Sequence, residues 1–132
     1  MKQVITLSLL AVFVIAASFT FMPNKPWPVP DKDAKKANPV KTDAASVSAG
    51  KALWSTHCSS CHGKTGLGDG SKAAQLKTQP EDMSKALVQS LSDGALFYKL
   101  SEGRDDMPSF KKKLPEEEDR WNLVNYMRTL KK

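Results

Sequence analysis

Hydrophobic and polar positions divide the chain into three regimes. From Val4 to Phe21 the residues are apolar almost throughout, relieved only by Thr6, Ser8, Ser18 and Thr20, with Lys2 before the run and Pro23 after it. A run of about 18 residues stands between the apolar region of an export signal and the shortest helix that crosses a bilayer. Ala16-Ala17-Ser18 offers the small residues that signal cleavage requires, although the site falls inside the run. Residues 1–22 therefore read either as a signal peptide or as an N-terminal membrane anchor, and both carry the rest of the chain out of the cytoplasm.

The second regime, residues 23–46, has no apolar period. Pro23, Pro26, Pro28 and Pro30 fall within eight residues and are followed by a mixture of Lys, Asp and Ala. Proline removes backbone donors and favours an extended, semi-rigid chain, so this stretch predicts a linker or arm, with Trp27 its one conspicuous side chain.

From Val47 the apolar spacing becomes helical. Ser46 or Ser48 is expected to cap a helix running into Cys58, on which Gly50, Trp54 and Cys58 recur every fourth residue and share one face. Glu81 or Asp82 opens a short helical segment through Ala86, Leu87 and Leu91. Ser92 or Asp93 caps a firmer helix with Leu96, Phe97 and Leu100 as its stripe and Gly103 as its stop. Pro115 is expected at the first position of the last helix. Glu116 to Asp119 then favour its N-terminal dipole, and Trp121, Leu123, Val124, Tyr126, Met127 and Leu130 form its apolar face. No segment alternates as a strand does. The expectation is an all-α domain of about four helices over residues 47–132.

Composition sharpens this picture in one respect. A domain of about 85 residues buries only ~60% of its unfolded surface, so its core is marginal without a staple. The formal net charge of +6 is spread along the chain, and no Arg-rich run is interleaved with aromatics, which argues against nucleic acid as a partner. Lys111-Lys112-Lys113 is the one basic run, either a solvated loop or, with Phe110, a docking surface.

The candidate chemistry lies in Cys58-Ser59-Ser60-Cys61-His62, which holds both cysteines of the protein. Two thiols in this order can add across the two vinyl groups of one haem while the following imidazole reaches the iron. A dithiol redox pair of the thioredoxin type belongs beside a βαβ pattern, which this chain lacks. A zinc site made of His57, Cys58, Cys61 and His62 would crowd four ligands into one turn, where such sites draw on two separated pairs. A covalently attached haem would also be the missing staple. For a sixth ligand the soft, neutral thioether of Met107 suits an electron carrier; it stands in a loop and precedes Pro108. Met83 in a helix start and Met127 on an apolar helix face are the alternatives, and an open sixth position is another.

Cys61-His62-Gly63, followed by Gly66-Leu67-Gly68-Asp69-Gly70, resembles the class I monohaem c-type cytochromes of bacteria, and Met107-Pro108-Ser109-Phe110 resembles their distal ligand loop. The resemblance spans roughly residues 47–132. It implies a class I cytochrome c fold and one covalent haem c on Cys58 and Cys61, with His62 and Met107 as axial ligands. It also implies attachment outside the cytoplasm, and the transfer of single electrons between protein redox partners rather than catalysis on a small-molecule substrate. Leu123 and Tyr126 match positions that pack against the N-terminal helix at Gly50 and Trp54. One departure is Ser71, where many relatives have a proline whose region supports the axial histidine, and this leaves the partner of the His62 ring open. A haem with a labile sixth ligand, acting as a sensor or on peroxide, and a tethered subunit of a larger respiratory complex are the alternative functions.

Overall fold

In the computed structural model, residues 26–132 are described, and the leader expected at 1–22 lies outside them. Among the described residues six α-helices follow one another: α1 (Asp31–Ala34), α2 (Ala44–His57), α3 (Ser59–His62), α4 (Ala86–Gln89), α5 (Asp93–Glu102) and α6 (Glu117–Thr129). A 3₁₀ turn at Ala73–Gln75 interrupts the long connection between α3 and α4. Among the described residues there is no strand, only a single bridge between Arg104 and Met107, and no helix is long and apolar enough to cross a membrane.

The cap of α2 is not the expected serine. Asp43 takes the position and accepts from the Ser46 amide at 3.0 Å, because its carboxylate stands one residue before the helical run and meets the positive end of the dipole. Ser46 is thereby released into the core. Its hydroxyl donates to Asn122 Oδ1 at 2.6 Å and accepts from Asn125 Nδ2 at 2.7 Å. Pro115 also falls outside its helix: α6 starts at Glu117 with Glu116 as N-cap. Arg120, buried in the first turn, donates to the Leu114 carbonyl at 2.6 Å and holds the preceding bend in place.

α2 and α6 form the principal helix pair, and Gly50 sits at their crossing. A Cβ on Gly50 would lie 2.7 Å from the Asn122 carbonyl carbon and 2.8 Å from Tyr126 Cβ, so only a bare backbone permits the approach. Trp121, Leu123, Val124 and Asn125 are almost wholly buried on α6. α5 closes the other side, its Phe97 ring stacked on Trp121 at 4.0 Å between centroids. Arg128 ties the two helices together, bonding Asp93 Oδ1 at 2.6 Å and the Gln89 and Leu91 carbonyls at 2.9 and 2.6 Å.

The segment from Gln79 to Leu91 is less helical than its pattern predicts. Asp82 folds into a local turn, accepting from the Ser84 amide and hydroxyl, and competes with helix formation there. One turn of helix survives, α4, with Val88 buried and Leu87 72% exposed.

The described part of the expected linker lies along the domain. α1 packs on α5, Val40 touches the core cluster, and Asn38 Nδ2 and Thr42 Oγ1 donate to Asn125 Oδ1 at 2.8 and 2.9 Å. The asparagine at the centre of α6 is what anchors this strap, and an apolar period does not reveal it.

Candidate haem-binding site

The Cys-x-x-Cys-His segment forms a compact double turn. Cys58 ends α2, its amide bonded to the Trp54 carbonyl at 2.9 Å, and then serves as N-cap of α3. Residues 58–62 therefore stay helical through the motif and carry the two cysteines on consecutive turns. Helix ends leave carbonyls unpaired; here the following loop supplies the donors. The Gly68, Gly70 and Lys72 amides donate to the His62, Cys61 and Ser60 carbonyls at 2.9, 3.1 and 2.8 Å. Gly63, at φ +81°, makes the reversal directly after His62 that starts this loop. The glycines thus pack on the protein's own backbone, a role the motif alone does not disclose.

Both thiols are half-buried and unpaired. Burial, and then the neighbouring Cys61, push the Cys58 thiol up to about 12. A dithiol redox centre needs the opposite shift, since the thiolate is its nucleophile. Among the described residues no group of three His, Cys, Asp or Glu side chains is disposed to hold a metal ion, as the zinc alternative would need.

His62 is fixed by its neighbours. Trp54 stands 5.6 Å from its ring, donates through Nε1 to the Gly63 carbonyl at 3.0 Å, and meets Tyr126 at 5.7 Å on its other side. Burial holds the imidazole below its usual pKa, and the Glu81 backbone opposes that by acting on the ring as an acceptor. Among the described residues, Nδ1 is buried without a hydrogen-bond partner.

Met107 follows a two-residue turn. The Arg104 and Met107 amides and carbonyls exchange bonds of 2.8 and 2.9 Å around Asp105-Asp106, with Asp105 at φ +52°. Two-residue hairpins demand positive φ, and aspartate tolerates it better than most residues. Met107 is half-buried at the margin of the core cluster, as is Cys58 on the other side of the chain's course. Phe110 joins the two regions: it is 4% exposed, its amide bonds the Leu100 carbonyl at 3.3 Å, and its ring meets His57 edge-on at 6.3 Å. That burial corrects the expectation that Phe110 belongs to a docking surface. Of the three lysines beside it, Lys111 pairs with Glu102 and Lys113 lies over the Phe110 ring. Met83 and Met127 are both buried in the core, Met83 packed beside Gly66.

The residues present fit a covalent haem. Two unpaired thiols sit on consecutive turns, a half-buried imidazole follows them, and a thioether loop borders the same apolar cluster as Cys58. A helical domain with this motif at the end of its first long helix is a c-type cytochrome domain. Residues 45–127 match the model of the family described as cytochrome c oxidase, cbb3-type, subunit III, and the chain belongs to that family.

Solved structures agree with the fold. A chain of the reducing HAO-like protein complex of Kuenenia stuttgartiensis is 26% identical with a TM-score of 0.65; the match covers 82% of this chain and 53% of that one. KustC0563, a c-type cytochrome, is 30% identical with a TM-score of 0.55, over 63% of this chain and 98% of its own. Cytochrome cL of Methylophaga aminisulfidivorans MPT, 22% identical over 67% of this chain and 55% of that one, has a TM-score of 0.53 and shares the fold. This chain thus spans about half the length of the Kuenenia complex chain. No curated protein matches it.

Proposed function

We propose that the domain relays single electrons between protein redox partners through one haem, fixed covalently by Cys58 and Cys61, with His62 and Met107 as its axial ligands. One observation carries the reading: segments far apart in sequence, the Cys58–His62 double turn and the Met107 loop, meet one apolar cluster and are joined by the His57–Phe110 contact. When bound, haem supplies a one-electron iron couple whose potential follows its axial ligands and surroundings. The chain's own residues have separable tasks. The two thiols tether, His62 presents a nitrogen wedged in orientation by Trp54, and Met107 offers a neutral sulfur that favours the reduced state relative to a second imidazole. Leu100 and Phe110, both buried, back the Met107 loop, the Phe110 amide bonding the Leu100 carbonyl.

On this reading the domain works on the extracytoplasmic side, with residues 1–22 as export signal or membrane anchor. A second reading, a subunit of a larger redox assembly, keeps the same chemistry and is favoured by the family's oxidase-subunit description and by the Kuenenia neighbour's membership of a complex. Co-purification from membranes with a stoichiometric partner distinguishes it from a free carrier.

The test is the intact mass and reductive titration of the protein made in cells that attach haem. The expected result is the mass of one haem, removed by a Cys58→Ala, Cys61→Ala double exchange, and a single one-electron wave. A haem-free native mass, or peroxide turnover at wild-type Met107, overturns the reading.

A further inference from the structure

The Met107 hairpin is held from two directions by groups outside it. On one side Arg104, whose backbone pairs with Met107, donates through Nη1 to the Pro26 carbonyl at 3.0 Å and lays its guanidinium 4.8 Å from the centre of the Trp27 ring. Lys99 of α5 approaches the same ring at 5.4 Å. An indole with two cations against it is a specific dock for a proline-rich strand, and Pro26 and Pro28 on either side stiffen the approach. On the other side Asp106 accepts from the Lys77 and Thr78 amides at 2.7 and 3.0 Å, fixing the hairpin to the loop that follows the haem motif. Between these two clips the hairpin has little slack of its own. Gly103, at φ +69°, leads directly into it, and Asp105 at its tip also has a positive φ.

From this we infer that Trp27 and Asp106 are positioning residues for Met107, and that together they set how readily its sulfur leaves the sixth position. The inference rests on the reading of Met107 as axial ligand. It gives the proline-rich strap a task the motif does not: residues from before the domain reach across it and restrain the one ligand that is not adjacent to the haem attachment turn. Neither residue touches the iron. Each acts through the hairpin, Trp27 by way of the Arg104 side chain and Asp106 by way of its own carboxylate.

The experiment uses the full-length ferric holoprotein and added imidazole, which binds the sixth position only when the native ligand has left. Trp27→Ala, Trp27→Phe, Asp106→Ala and Met107→Ala are compared with wild type for imidazole affinity, far-red absorption and melting temperature. Loss of the Trp27 contacts is expected to raise apparent imidazole affinity about two- to five-fold, corresponding to ~0.5–1 kcal/mol at about 1.4 kcal/mol per tenfold. Trp27→Phe should recover part of the difference, because a smaller ring still faces both cations. Asp106→Ala should act in the same direction, and a merely structural role would lower the melting temperature while leaving imidazole affinity unmoved. Wild-type affinity in both Trp27→Ala and Asp106→Ala overturns the inference alone. If wild type binds imidazole as Met107→Ala does, the ligand reading fails and the clamp falls with it.

Discussion

At the scale of single residues, Gly50 and Asn125 show two ways in which α6 dictates its partners. Gly50→Ala gains about 1 kcal/mol of helix propensity. It also forces a methyl group into the Asn122 backbone and Tyr126, where overpacking costs ~1–3 kcal/mol. The crossing is rigid backbone, so the clash wins, and the melting temperature of Gly50→Ala is expected to fall. Asn125 is wholly buried and serves Asn38, Thr42 and Ser46 at once. Asn125→Ala strands several polar groups at ~1–3 kcal/mol each before relaxation, and chemical denaturation should show a loss of at least ~2 kcal/mol. An unchanged midpoint would mean that the strap is not anchored there. Sequence periodicity marks Gly50, because a glycine on the face of Trp54 and Cys58 asks for a reason. It does not mark Asn125, because a polar residue between Val124 and Tyr126 has no period that separates a network hub from a solvated position.

At the scale of elements, the long helices are legible in the sequence, and their ends only in part. The stripe of α5 and the apolar face of α6 lie where the pattern puts them, and Ser92 caps α5 as expected. The start of α2 shifted to Asp43, for which Asp43→Ala should cost about 1 kcal/mol of stability; a loss confined to Ser46→Ala and absent from Asp43→Ala would restore the serine cap. Between α3 and α5 the local turn chemistry of Asp82 overrides the helical pattern. The Met107 hairpin was legible only as a loop, since Asp105-Asp106 lacks the glycine that usually signals a two-residue turn. Proline content says how the strap bends and nothing about what it touches, so the pattern marks it only as a linker or arm. On this surface Lys112 and Lys113 are exposed beside the Met107 loop. Exchanging both for Glu is expected to slow electron transfer to an acidic redox partner in a salt-dependent way. An unchanged rate at low salt would remove the lysines from the docking surface.

For the whole molecule, size decides how structure and chemistry depend on each other. The chain packs its core around α2, α5 and α6; the Cys58–His62 segment spans the end of α2 and the single turn of α3, and turns and loops hold Met83 and Met107. A domain this small has a marginal core, and on the proposed reading a haem held covalently by its thiols is the staple that makes the loops worth ordering. The Cys58→Ala, Cys61→Ala protein, which carries no attached haem, is therefore expected to lack a cooperative thermal transition, and a sharp one would show that the helices suffice. The haem attachment motif was legible in five consecutive residues because its chemistry is local. What surrounds Met107 is not legible in the sequence, because Asp106 and Trp27 reach its hairpin through tertiary contacts. The central claim is that the double turn at Cys58–His62 and the loop at Met107 complete one site, and far-red absorption of the ferric protein tests it directly. The weak band that marks methionine-to-iron ligation in this family should be present in the native protein and absent from Met107→Ala, with haem still attached. A band that survives in Met107→Ala, or that the native protein never shows, contradicts it.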